Sequence, residues 1–364
     1  EAAYIPVEKS VDIINTAIND ALKGEDPSNQ EKVDQLLLEM DGTKNKSNLG
    51  GNSILSVSLG VAQVSAIDRD IELFEYLSEI YGKKLSKDKN LKFPTPIFNV
   101  LNGGKHAYNN LSFQEFMVIP APMSFIKQME MGVNIYIKLK DTLLNKGFGI
   151  GVGDEGGFAP QNFTTHKALE FIKKAADSMY KLGKDVFMGM DVAAESFVEH
   201  QRYKISEEDL ELDVSQFTDY YEDVVGKYPL IYIEDPFYEK DYEGWSQFNK
   251  RFSERLLVVA DDLVVTNPTL LKKAIDKKLA NAVIIKPNQV GTLTETMQFI
   301  KIARDNKMQL VVSHRSGDTA EDTFIADLAL AVEADFLKSG SPVRGERVVK
   351  YNRLLDIYSE INRT

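Results

Sequence analysis

Residues 282–286 read Ala-Val-Ile-Ile-Lys: four apolar residues that stop at an ammonium group. A short β-branched run followed by a Pro- and Gly-bearing turn reads as a buried strand. The pattern repeats in both directions. Downstream, Leu310-Val-Val-Ser is followed by His314, and Asp335-Phe-Leu by Lys338. Upstream, Leu256-Leu-Val-Val-Ala is followed by Asp261, Leu230-Ile-Tyr-Ile by Glu234 and Phe187-Met-Gly-Met by Asp191. Successive end residues are 43, 27, 25, 28 and 24 positions apart, about one βα unit each except the first. That first gap has room for a hairpin or extra strand around residues 203–205. Long amphipathic helical segments fill the others. A (β/α)8 barrel places its active site at the C-terminal ends of its strands, so six strand ends in this register predict one shared polar mouth.

Upstream of the barrel pattern the periodicity is helical. Val11, Ile14, Ile18 and Leu22 recur at helical spacing, as do Leu36, Leu37 and Met40. The small-residue-rich stretch 50–66 reads as a tightly packed internal helix. A polar, Lys-rich stretch at 86–92, followed by Phe93-Pro-Thr-Pro96, marks a boundary. The expected organisation is a helical N-terminal domain over residues 1–91 and an α/β barrel over 92–364.

The 364 residues suffice for a packed core without staples. Cysteine is absent, which excludes disulfides, thiolate nucleophiles and Cys-ligated metal centres. A net charge of −12 argues against nucleic acid and anionic membranes as partners, and no apolar run approaches a membrane span. A cytoplasmic location is expected.

The mouth residues carry chemistry. Asp191, Glu234 and Asp261 would converge, and three close carboxylates need a cation. Oxygen-only ligands favour Mg²⁺ or Mn²⁺ over Zn²⁺. Lys286 and Lys338 would face them, depress each other's pKa and leave a neutral lysine to act as base. Lysine plus Mg²⁺ is an arrangement for removing a proton next to a carboxylate. Residues 147–160, GFGIGVGDEGGFAP, formally contain G-x-G-x-x-G, but a Pro and a loop follow where a dinucleotide fold needs a helix. The stretch reads better as a loop presenting Glu155, a carboxyl that could stay protonated as a general acid. His106 follows a strand in a glycine loop, and His314-Arg-Ser316 resembles an anion clamp.

These motifs together resemble the enolase family. The matching stretches include FNVLNGGKHA (98–107), SFQEFMVIP (112–120), VGDEGGFAP (152–160), MDVAAESF (190–197), IEDPF (233–237), VADDLVVTNP (259–268), IIKPNQVGTLTET (284–296), VVSHRSGDTAED (311–322) and KSGSPVRGERVVKYN (338–352). They occur in family order. The resemblance implies an enolase-type barrel variant with an irregular start, a small capping domain, a homodimer and the dehydration of 2-phosphoglycerate. It implies Asp191, Glu234 and Asp261 as Mg²⁺ ligands, Lys286 as the base at C2 and Glu155 as the acid at C3, supported by Glu115. Gln114, His314, Arg315, Ser316 and Lys338 would bind substrate, and His106 would close over it. The sequence departs from the family in holding no Ser-Gly-Ala-Ser-Thr-Gly loop, which the family's N-terminal strand meander carries. That loop's serine helps hold a second Mg²⁺, so one metal site is expected on the barrel and the second is open. An impaired, enolase-like binding protein is the alternative expectation. Glu195 and Ser196 are also exchanged relative to the usual order.

Overall fold

A computed structural model describes residues 1–88, 90–315 and 317–362. The N-terminal part is helical. Three continuous segments, Val7–Ile13, Ile14–Ile18 (a π turn) and Asn19–Leu22, precede helices Gln30–Asp41, Gly51–Asp68 and Leu73–Tyr81. Helix Gln30–Asp41 starts where the Asn29 side chain accepts the Lys32 N–H and stops at Gly42, in the left-handed region. Ile18, Val33, Leu37, Leu49 and Ile54 form a small core of their own.

The helix Gly51–Asp68 differs from expectation. Ser53, Ile54, Ser58, Ala62, Ser65 and Ala66 are buried, but Val64 is 54% and Ile67 77% exposed. Its buried small residues Ser58, Ala62 and Ala66 recur at i, i+4 and i+8, which lets one face approach its neighbours closely and leaves the other in solvent.

Among the described residues, eleven strands follow. They are β1 (Thr95–Asn102), β2 (Glu115–Pro120), β3 (Val186–Asp191), β4 (Val198–Glu199), β5 (Arg202–Ile205), β6 (Leu210–Leu212), β7 (Leu230–Glu234), β8 (Leu257–Ala260), β9 (Ala282–Ile285), β10 (Gln309–Ser313) and β11 (Phe336–Lys338). Eight close into a barrel in the order β1-β11-β10-β9-β8-β7-β3-β2, while β4, β5 and β6 form a separate antiparallel sheet in the long first gap. Strand β2 runs antiparallel to both neighbours; the other pairings are parallel.

Alternation along the strands divides the core. Ala282 and Ile284 point into the barrel with Ile97, Met117, Ile119, Tyr232, Val259 and Val311, while Val283 and Ile285 face the helical shell. One contact between the N-terminal helices and the barrel lies at the start of helix Leu293–Asp305, whose first N–H groups lack partners within the helix. Asp34 accepts the Thr294 N–H (2.9 Å) and hydroxyl (2.6 Å), and Ser58 Oγ accepts the Leu293 N–H (2.9 Å). Among the described residues, no helix is long and apolar enough to cross a membrane.

Candidate active site at the barrel mouth

The strand ends deliver their charges to one rim. Asp191, Glu234 and Lys338 are the last residues of β3, β7 and β11; Asp261, Lys286 and His314 immediately follow β8, β9 and β10. Because β2 runs backwards, its first residue, Glu115, lies at this same rim, opposite Asn102 and Asp191. The loop at 151–157 brings Glu155, with Gly156 in the left-handed region (φ 86°) and too close to Ser341 and Val343 to tolerate a Cβ. A cavity of about 360 Å³ results. Its walls include His106, Gln114, Glu115, Glu155, Asp191, Asp261, Lys286, His314, Arg315 and Lys338, with Glu234 fully buried beneath. Ser316 lies outside the described residues.

The lysines pair with the proposed metal ligands. Lys338 Nζ lies 2.9 Å from Glu234, 3.1 Å from Asp191 and 3.2 Å from Glu115. Lys286 Nζ donates to Asp261 Oδ2. Burial disfavours both ammonium groups, but these carboxylates outweigh it and hold both pKa values above the ordinary lysine range. The surroundings of Lys286 therefore oppose the neutral lysine expected from mutual repulsion: attraction by Asp261 exceeds repulsion by Lys338. Burial, then Asp191, pushes Glu234 up to about 8. Tyr232 donates to its Oε2, while its buried Oε1 has no partner. An orphaned carboxylate oxygen beside two more acids fits a hard divalent cation. Among the described residues, the ligand atoms of Asp235, Asp261 and Asp262, and those of His106, Glu115 and Glu155, lie within 4.8 Å of one another, whereas the trio Asp191, Glu234 and Asp261 is divided between its two lysines.

Across the cavity sits a carboxyl pair. His106 Nδ1 lies 3.5 Å from both Glu115 and Glu155. Burial, then the Glu155 charge, raises the Glu115 pKa well above normal. Burial also opposes ionisation of Glu155, but His314 (Nε2 at 3.3 Å) and the neighbouring cations outweigh it, and Asn99 Nδ2 donates to its other oxygen at 3.0 Å. These influences favour the proton on Glu115 over Glu155, the reverse of the preference expected from sequence. Two close carboxyls share one proton, and the one with more donors surrenders it.

Sequence reasoning missed several residues around this site. Asp235 accepts the N–H groups of Asp261 (3.0 Å) and Asp262 (2.9 Å). Gln289 donates to Asp261 Oδ1 (2.9 Å), and Thr266 donates to Gln289 (2.7 Å). The acidic residues beside Glu234 and Asp261 in IEDPF and VADDL were a visible signal. Nothing local distinguished Thr266.

The comparisons with known proteins identify the family. Residues 90–364 match the enolase C-terminal TIM barrel domain, and residues 4–77 match the enolase N-terminal domain. The chain belongs to the enolase family. The enolase of Ehrlichia canis (strain Jake) is 44% identical over 358 residues, which is 98% of this chain and 82% of that protein. The enolase of Ehrlichia ruminantium (strain Welgevonden) is 43% identical over 98% of this chain and 82% of its own length. That of Ehrlichia chaffeensis is 42% identical over 96% and 81%. As an enolase-family member the chain is a phosphopyruvate hydratase, a carbon–oxygen lyase.

Proposed function

We propose that this chain interconverts 2-phosphoglycerate and phosphoenolpyruvate in cytoplasmic glycolysis and gluconeogenesis, with Mg²⁺, as a homodimer. The observation that carries the reading is the arrangement of Lys286 and the Glu115–Glu155 pair around one cavity of metabolite size, with three acids on the strand ends between them. Asp191, Glu234 and Asp261 would hold the metal on the barrel. When bound, Mg²⁺ supplies Lewis-acid stabilisation of the negative charge that gathers on the substrate carboxylate. Arg315, with Ser316, would take the phosphate, Lys338 the carboxylate and Gln114 a neighbouring oxygen, and His106 would cover the site.

Lys286 Nζ takes the C2 proton, and the C–H electron pair moves toward the carboxylate carbon. The pair returns to form the C2–C3 double bond. The C3–oxygen bond breaks, and the hydroxyl takes a proton from Glu155 and leaves as water. Dehydration thus ends with a charged Lys286 and an ionised Glu155. The surroundings of both groups in the free chain favour that same protonation state, which is also the state that begins the reverse hydration. Before each dehydration Lys286 must lose a proton and Glu155 must gain one, and Glu115 is the carboxyl that would support Glu155 in that role.

The test follows exchange of the C2 proton with solvent deuterium by NMR beside phosphoenolpyruvate formation by ultraviolet absorbance. Lys286→Ala is expected to lose both. Exchange surviving in that variant would assign the base elsewhere.

A further inference from the structure

Arg347 is 2% exposed, yet among the described residues it has no close carboxylate partner: Asp318 lies 3.9 Å away and pairs more closely with Lys350, at 3.1 Å. Burying a guanidinium without a tight counter-charge is costly, so its place calls for a cause other than an ion pair. Its Nη1 lies 2.6 Å from His314 Nδ1 and donates to the Arg315 carbonyl at 3.1 Å; its Nη2 donates to the Asp154 carbonyl at 3.4 Å. One planar group therefore ties the loop carrying Glu155 to the loop after β10. The backbone makes room for it. Gly340, at φ 77°, passes so near that a Cβ would stand 2.9 Å from the Glu155 carbonyl and 3.1 Å from Arg347 Cδ.

Guanidinium nitrogens donate and never accept. His314 Nδ1 must then accept, and the ring's proton is on Nε2, the nitrogen 3.3 Å from Glu155. We propose that Arg347 is a positioning residue: it fixes His314 as the neutral Nε2–H tautomer, which aims a hydrogen-bond donor at the carboxylate Glu155 becomes once it has given up its proton. Burial, the largest influence on His314, keeps the imidazole below its usual pKa despite Glu155 and agrees with a neutral ring. The tautomer stands on geometry alone; its catalytic consequence rests on reading Glu155 as the acid at C3.

The chain has four histidines, so imidazole ¹⁵N–¹H correlation NMR can resolve each, with His314→Gln for assignment. Wild type should show His314 as Nε2–H. Arg347→Lys, whose ammonium is also donor-only, should keep that signature, and Arg347→Met should lose it to Nδ1–H or to protonation. General acids contribute about 10²–10⁴-fold, so Arg347→Met should lower kcat on the order of tenfold or more relative to Arg347→Lys, with KM and C2 exchange within about twofold. An Nδ1–H wild type, or an unchanged tautomer in folded Arg347→Met, overturns the proposal. Should Arg347→Met fail to fold, the wild-type and Arg347→Lys spectra decide it. A changed tautomer with unchanged kcat would sink the role assigned to Glu155 and leave the tautomer assignment standing.

Discussion

At the scale of single residues, Asp261 shows how a reactive carboxylate is held still. Gln289 donates to its Oδ1 and Lys286 to its Oδ2. The Gln289 amide cannot turn over, because its Oε1 already accepts from Thr266, whose hydroxyl in turn accepts the Lys286 N–H at 3.0 Å. Val265 and Thr266 both sit at positive φ (40° and 51°), a conformation β-branched residues rarely adopt, so the surrounding bonds must hold them there. Asp261→Asn breaks this logic: its amide nitrogen would face either the Lys286 ammonium or the Gln289 NH₂, both donors. Calorimetric titration of this variant should show Mg²⁺ affinity reduced by about 10–100-fold or more, since even residues supporting a ligand cost that much. Unchanged affinity would remove Asp261 from the metal site. Charged strand ends such as Asp261 and Lys286 were legible in sequence because an apolar run stopping at a charge is a local pattern. Thr266, Gln289 and Arg347 were not, since their meaning lies in contacts with residues 20 or more positions away.

At the scale of elements, direction was harder to read than existence. The run Phe116-Met-Val-Ile119 marks a strand, but an apolar run carries no arrow, and only pairing places Glu115 at the reactive rim. Packing can likewise invert a helix propensity. Gly132 lies within helix Phe125–Asn145, where alanine would ordinarily gain about 1 kcal/mol. Here a Cβ would come within 2.2, 2.4 and 2.5 Å of three carbons of the Phe98 ring on β1. Phe98 is fully buried and packs 5.2 Å from the Tyr351 ring, so it has little room to retreat. Overpacking costs about 1–3 kcal/mol, and contacts this short belong at its upper end. Gly132→Ala is therefore expected to destabilise the chain by about 1–2 kcal/mol in urea unfolding. A gain in stability would mean that the helix slides freely over β1.

At the scale of the whole molecule, the difficulty is charge. The chain carries −12, and its substrate in the proposed reaction is itself a polyanion. The site alone does not reverse the sign. Lys286 and Lys338 face Glu115, Glu155, Asp191, Glu234 and Asp261, and both are already engaged by carboxylates. Arg315 is drawn aside, its guanidinium 5.4 Å from the centre of the Tyr4 ring. A phosphorylated acid approaching this surface meets an acid-rich mouth in a low-dielectric wall, where repulsion is screened less than in bulk water. A divalent cation on the carboxylates changes the balance twice. It adds two positive charges, and it competes with Lys286 and Lys338 for the oxygens that now occupy them. Substrate affinity should therefore depend steeply on the metal. With 2-phosphoglycerate in the calorimeter, binding is expected in Mg²⁺ and should weaken by at least ~100-fold in EDTA, as the loss of a close divalent charge implies. Equal affinity in both buffers would mean that Arg315, Lys286 and Lys338 already present a positive surface, and that the ion pairs described above do not govern the mouth in solution.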